Sequence, residues 1–133
     1  MGKGFLVEHI ILVVEDNAPL RNLFVKRLWH AGFTVFSACN GLEGLQIALK
    51  EQPAAIVLDY EMPLMNGAQM LNKLRQTRVG LNIPVIVVTA ATSSNPIPFI
   101  DLADLVLQRP ILTTELITMV RRLLAKPTAQ DRS

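Results

Sequence analysis

The sequence predicts an α/β domain in which helices flank a parallel sheet of five strands. Short apolar runs recur along the chain without polar alternation, which suits strands that are buried on both faces. Segments with helical spacing separate these runs and the linkers are short, so right-handed crossovers are expected. The 133 residues are enough for one domain with a sizeable core.

The first strand is predicted at Ile10 to Val14, an apolar run that ends in the acids Glu15 and Asp16. Pro19 fits the first turn of the helix that follows, and Gly32 fits the end of that helix. The apolar stripe of this helix consists of Leu20, Leu23, Phe24, Leu28 and Ala31. A strand and a helix therefore open the chain.

A weaker strand is predicted at Phe33 to Ala38. Asn40 is the predicted N-cap of the second helix, which stops before Pro53. The apolar stripe of this helix consists of Leu42, Leu45, Ala48 and Leu49.

The third strand, Ala55 to Leu58, ends on Asp59. Pro63 and the Asn66-Gly67 pair favour a loop after it, and a helix is predicted from about Ala68 to Arg75. Asp59 is therefore expected at the end of a rigid strand, beside a loop.

The fourth strand, Val85 to Val88, ends on Thr89, and the fifth, Leu105 to Leu107, leads to Arg109. Between them, Ala90 to Ala103 carries two prolines where a crossover helix would begin, so that helix is predicted to be short, irregular or displaced. The last helix has the stripe Leu116, Ile117, Val120, Leu123 and Leu124.

Composition narrows the class of protein. Cys39 is the only cysteine, which excludes an internal disulfide or a thiolate cluster. No apolar run is long enough to span a membrane, and the N-terminal stretch is too short for a secretory signal, so a cytoplasmic protein is expected. The net charge is +2, and the late basic residues favour a solvated helix face over a nucleic-acid site.

Polar side chains follow four of the five predicted strands: Glu15 with Asp16, Asp59, Thr89 and Arg109. The carboxyl ends of parallel strands share one edge of a sheet, where α/β folds bind ligands. Converging carboxylates repel one another, and Mg²⁺ suits such an oxygen-only site. Phosphoryl transfer also needs a nucleophile, a hydroxyl donor and a fixed cation.

These residue types assign roles, each with a simpler alternative. Asp59 would be the nucleophile, Glu15 and Asp16 would hold the metal, and Thr89 and Arg109 would contact phosphoryl oxygens. Alternatively, Asp59 caps the following helix, the acid pair only favours a helix N-terminus, Thr89 is an ordinary strand end, and Arg109 points to solvent. Their agreement at one edge favours the joint functional interpretation.

The segments ILVVEDN, AIVLDYEMPLMNG, PVIVVTA and QRP resemble the receiver domain of bacterial response regulators in order and spacing. The resemblance covers about Ile10 to Leu124. It implies a flavodoxin-like, doubly wound sheet of strand order 2-1-3-4-5. It also implies a receiver domain over residues 8–126, with flexible termini at 1–7 and 127–133.

The resemblance further implies Mg²⁺-dependent phosphoryl transfer to Asp59 from a histidine kinase or phosphotransfer protein. The main-chain carbonyl of Glu61 matches the third metal ligand of the family, and Thr89 matches its switch hydroxyl. An acid at position 61 is also expected to tune the lifetime of the phosphoryl group. The family further allows a homodimer through the last helices.

Three departures from the family pattern concern signal output. Arg109 replaces the lysine before proline, and a forked guanidinium is not equivalent to an ammonium group. Val106 stands where the family carries Tyr or Phe, and the proline-containing segment Thr92 to Ala103 lies in its main signalling surface.

The leading hypothesis is thus a phosphorylation-dependent signalling module, not an enzyme, with an unidentified downstream protein as partner. The alternative is a degenerate receiver that acts as a phosphorylation-independent interaction domain. A phosphatase is a third interpretation, because Asp59-Tyr60-Glu61 weakly resembles the Asp-x-Asp of haloacid-dehalogenase-like enzymes.

Overall fold

A computed structural model describes residues 9–62, 64–90 and 98–125 of the chain. Its regular elements, in chain order, are β1 (Ile10–Val14), α1 (Ala18–His30), β2 (Thr34–Ala38), α2 (Gly41–Glu51), β3 (Ala55–Asp59), α3 (Gly67–Arg75), β4 (Val85–Thr89), β5 (Leu105–Gln108) and α4 (Thr113–Ala125). The termini expected to be flexible, residues 1–7 and 127–133, lie outside the described residues.

All neighbouring strands pair in parallel, and the order across the sheet is β2-β1-β3-β4-β5. The predicted fold class and the strand order that the resemblance implied are confirmed. β1 and β3 lie side by side, with Val14 opposite Leu58, and β4 follows, with Val88 opposite Asp59. The carboxyl ends of β1, β3 and β4 therefore meet at one edge.

Each face of the sheet has its own hydrophobic core, because successive side chains of a strand point to opposite faces. Leu12, Ile56 and Val87 pack on one side with α2 and α3, and Val13 and Val57 pack on the other with α1 and α4. The strands lack polar alternation for this reason, since both faces are covered by helices.

Two leucines of the predicted apolar stripes are not in these cores. Leu42 is 49% exposed and Leu23 is 40% exposed, so their assignment to the buried stripes was wrong. In α2 the sheet is met instead by Gly44, where an added Cβ would lie 2.8 Å from Val14 Cγ2. Leu42 precedes Gly44 by two residues, roughly 200° around the helix, and so faces solvent.

The helix ends follow from local side-chain chemistry. Asn17, Asn40 and Asn66 are the N-caps of α1, α2 and α3, and each accepts a hydrogen bond from an amide of the first turn. Gln69 completes a capping box with Asn66. The predicted N-cap of α2 is thereby confirmed.

The connection between β4 and β5 is described only in part. Residues 91–97 of the predicted crossover lie outside the described residues, and the described remainder contains a single 3-10 turn, Ile100–Leu102. Arg75, at the end of α3, fastens this region. It donates hydrogen bonds to the carbonyls of Leu102 (3.0 Å) and Ile83 (2.7 Å) and pairs with Asp104 at 2.9 Å.

Candidate functional site

An acidic cluster lies where the carboxyl ends of β1 and β3 meet. Glu15 and Asp16 follow β1 directly, and Asp59 is the last residue of β3. Each of the three offers a carboxylate oxygen, and these oxygens all lie within 4.8 Å of one another. Glu15 and Asp59 are buried and Asp16 is exposed, so the cluster opens to solvent on one side.

Arg109 brings a positive charge into this cluster. Its Nη2 atom lies 2.8 Å from Glu15 Oε1 and 2.9 Å from Asp59 Oδ1. The guanidinium comes from the end of β5 and reaches past β4, which lies between β5 and β3. The Arg109 main-chain amide donates a hydrogen bond to the Thr89 carbonyl at 2.9 Å, which positions the backbone from which the side chain extends.

The ionisation of Asp59 reflects this crowding. Burial, together with the hydrogen bond to Glu15 and its charge, raises the pKa of Asp59 from 3.8 to about 8. The Glu61 amide and the Arg109 guanidinium oppose that shift without cancelling it. Burial lowers the pKa of Arg109, but its contacts with Glu15 and Asp59 outweigh burial and raise it overall.

The loop after Asp59 is held tightly against the strand. The Glu61 amide donates to Asp59 Oδ1 at 3.1 Å, and the Gly67 amide donates to the Tyr60 carbonyl at 3.3 Å. A Cβ on Gly67 would lie 2.5 Å from the Asp59 carbonyl oxygen and 2.7 Å from Tyr60 Cα. The close approach of α3 to the end of β3 therefore requires glycine at this position.

The carboxylate of Glu61 is bound at the end of β4. Its Oε2 accepts a hydrogen bond from Thr89 Oγ1 at 2.7 Å, and its Oε1 accepts one from the Ala90 amide at 2.8 Å. The family resemblance implied a main-chain role at a metal and a tuning role for position 61, but this side-chain contact was not predicted. The available signal was an acid two residues after Asp59, facing a threonine on the neighbouring strand.

The hydrogen bond of Tyr60 to Pro98 is a further contact that the sequence did not predict. The side chain is buried, and its hydroxyl donates to the Pro98 carbonyl. Burial, with the charges of Asp101 and Glu61, raises the pKa of Tyr60 from 10.0 to about 12. The residue beside Asp59 is thereby joined to the segment that leads into β5.

The structure decides several of the simpler alternatives. Asn66 is the N-cap of α3, so Asp59 does not cap the helix that follows. Glu15 and Asp16 directly precede Asn17, the N-cap of α1, a position at which acids also favour the helix N-terminus. Arg109 does not point to solvent, because it pairs with both buried carboxylates. Val106, in the position expected to carry an aromatic side chain, is 40% exposed on β5.

A flavodoxin-like sheet with an acidic pocket at the carboxyl ends of its central strands defines the class of this domain. The model of the response regulator receiver domain matches residues 11–121, and the chain therefore belongs to this family of two-component signal transduction domains. A receiver is a signalling module rather than an enzyme, which removes the phosphatase interpretation.

Comparison with individual proteins agrees with this assignment. The chain is 35% identical over 123 residues to response regulator MprA of Mycobacterium ulcerans (strain Agy99), covering 91% of this chain and 52% of that protein. It thus spans about half the length of the curated relatives it matches. No described helix is long and apolar enough to cross a membrane.

Solved structures show the same architecture. A putative response regulator from Chloroflexus aurantiacus J-10-fl superposes with a TM-score of 0.82 at 27% identity, over 90% of this chain and 100% of that one. The receiver domain of Francisella response regulator 1452 gives a TM-score of 0.80 at 27% identity, over 88% of this chain and 97% of that one.

Proposed function

We propose that this domain accepts a phosphoryl group on Asp59 from a histidine kinase or phosphotransfer protein, with Mg²⁺ as cofactor. The placement of Asp59 carries the proposal. Its side chain is 3% exposed at the end of β3, beside the carboxylate of Glu15 and in contact with the guanidinium of Arg109. Attack on a phosphoryl group requires the ionised carboxylate, and the charge of the Arg109 guanidinium lowers the pKa of Asp59 toward that form.

The donor set fits a hard divalent cation. The carboxylate oxygens of Glu15, Asp16 and Asp59 converge within 4.8 Å, and Mg²⁺ prefers oxygen ligands and retains several waters. The main-chain carbonyl of Glu61 is proposed as a further ligand, as the family pattern implies. When bound, Mg²⁺ would neutralise charge on the attacking and transferred oxygens.

The transfer itself is a displacement at phosphorus. A carboxylate oxygen of Asp59 forms a bond to phosphorus while the P–N bond of a phosphohistidine, or the P–O bond of acetyl phosphate, breaks. The electron pair of the broken bond leaves with the imidazole or with acetate. Thr89 would donate a hydrogen bond to one phosphoryl oxygen, and Arg109 would pair with another through its remaining N–H groups.

Intact mass after incubation with acetyl phosphate and Mg²⁺ tests the proposal, with Asp59→Asn as the control. One phosphoryl adduct is expected in the natural chain, none in the variant, and none when a chelator removes Mg²⁺. If the chain forms no adduct although Mg²⁺ binds, Asp59 is not an acceptor for this donor.

A second candidate is a domain that binds its partner without phosphorylation. Two observations favour it: Glu61 already holds the Thr89 hydroxyl, and the exposed Val106 replaces the aromatic residue of the family. Absence of an adduct in the same experiment would favour this function. The downstream protein, and a homodimer through α4, remain proposals in either case.

A further inference from the structure

Both oxygens of the Glu61 carboxylate are bound by donors at the carboxyl end of β4. Thr89 Oγ1 and the Ala90 amide lie 2.7 and 2.8 Å from the two oxygens. A hydroxyl and a main-chain N–H that converge on one anion form an oxyanion site. In this structure, the anion in that site belongs to the chain itself.

This site adjoins Asp59. Asp59 is paired with Val88 in the sheet, and Thr89 follows Val88 directly. The Glu61 amide also donates to Asp59 Oδ1 at 3.1 Å, so residue 61 is tied to both Asp59 and β4. A phosphoryl group on Asp59 would therefore lie beside the Thr89 hydroxyl and the Ala90 amide, at the carboxyl end of β4.

The Glu61 side chain does not join the metal cluster. Among the described residues, the acids whose ligand atoms converge are Glu15, Asp16 and Asp59, without Glu61. Both oxygens of Glu61 are instead occupied at β4. A carboxylate and a phosphoryl group are both anions, so they would repel each other and compete for the same donors.

We propose that Glu61 is an internal competitor for the phosphoryl group of this domain. Its carboxylate occupies the hydroxyl and amide donors that a phosphoryl group on Asp59 would use, and it must leave them before that group is bound. This proposal rests on the proposed function, since it assigns the resting ligand of the same site. Phosphorylation then exchanges one anion for another at Thr89.

Removing the competing charge has a measurable consequence. Glu61→Gln keeps the length of the side chain but removes its charge, and Glu61→Ala removes the acceptor altogether. Because a charged hydrogen bond is stronger than a neutral one, both variants are expected to bind a phosphoryl mimic about tenfold more tightly. Initial rates of adduct formation with acetyl phosphate are expected to rise in both variants as well.

The experiment uses the full chain and beryllofluoride with Mg²⁺, which mimics a phosphoryl group on a carboxylate oxygen. Its dissociation constant is read from the Ala90 amide resonance. Glu51→Gln is the matched control, because the substitution removes the same charge far from Asp59. Glu51 is the last residue of α2 and lies near the amino end of β3, which begins at Ala55. Far-ultraviolet circular dichroism verifies that each variant folds.

The proposal is supported if the two Glu61 variants bind more tightly while Glu51→Gln matches the natural chain. It is overturned if the natural chain binds and forms an adduct but the Glu61 variants bind equally or more weakly. If neither the natural chain nor any variant binds or forms an adduct, the proposed function itself fails. The two failures are therefore distinguishable.

Discussion

Arg109 neutralises two buried carboxylates, and replacing it with glutamine tests how far the site depends on that charge. Its Nη2 lies 2.8 Å from Glu15 and 2.9 Å from Asp59, whose side chains are both 3% exposed. Removing one partner of a buried ion pair destabilises a protein by about 3–5 kcal/mol. Here Arg109 is itself 26% exposed, and the raised pKa of Asp59 lets the pair of acids retain a proton.

We therefore expect Arg109→Gln to lower the free energy of unfolding by about 2 kcal/mol in the absence of divalent cations. In a domain of this size, that corresponds to a fall of roughly 6–10 °C in Tm. Saturating Mg²⁺ is expected to recover part of the loss, since it would supply positive charge to the same acids and bind only the folded chain.

Urea denaturation with and without Mg²⁺ measures this effect. Arg122→Gln is the control, because Arg122 is an exposed arginine on α4 and its loss changes the net charge equally. In an Asp59→Asn background, the loss caused by Arg109→Gln is expected to shrink, since Glu15 alone then lacks its partner. If Arg109→Gln is no more destabilising than Arg122→Gln, the ion pairs do not stabilise the fold.

Three further predictions concern Gly67 and Tyr60, which lie beside Asp59, and Arg75 at the end of α3. Gly67→Ala is expected to destabilise the domain by about 2 kcal/mol or more in urea, because a Cβ there would lie 2.5 Å from the Asp59 carbonyl oxygen; an unchanged midpoint would contradict this. Tyr60, the only tyrosine, is expected to lose its proton near pH 12 in a phenolate absorbance titration. Its folded-state pKa is raised, so the unfolded chain ionises first and stability falls as the pH rises from 10.0 to about 12; titration near 10.0 would refute burial. Arg75→Met is expected to lower the free energy of unfolding by about 2–4 kcal/mol through the loss of its buried hydrogen bonds, while Asp59 still accepts phosphate. If the folded variant no longer forms the phosphoryl adduct, Arg75 also acts on the site.

Much of the fold was determined by local sequence patterns. The apolar runs of β1, β3 and β4 lack polar alternation because helices cover both faces of the sheet. This pattern alone was enough to predict buried strands. The N-cap Asn40 acts within a few residues of its own position, so its role was also readable. The acids after β1 and β3 could be placed at one edge because parallel strands share their direction.

The partners of the site side chains depended on tertiary structure. Arg109 could have faced solvent, and its contact with Glu15 joins residues 94 positions apart. The hydrogen bond from Thr89 to Glu61 spans 28 positions. Such contacts depend on which rotamer a side chain adopts among neighbours from several strands, and residue type and spacing do not encode that choice. The sequence by itself thus identified the groups at the sheet edge, and the tertiary structure decided which group holds which.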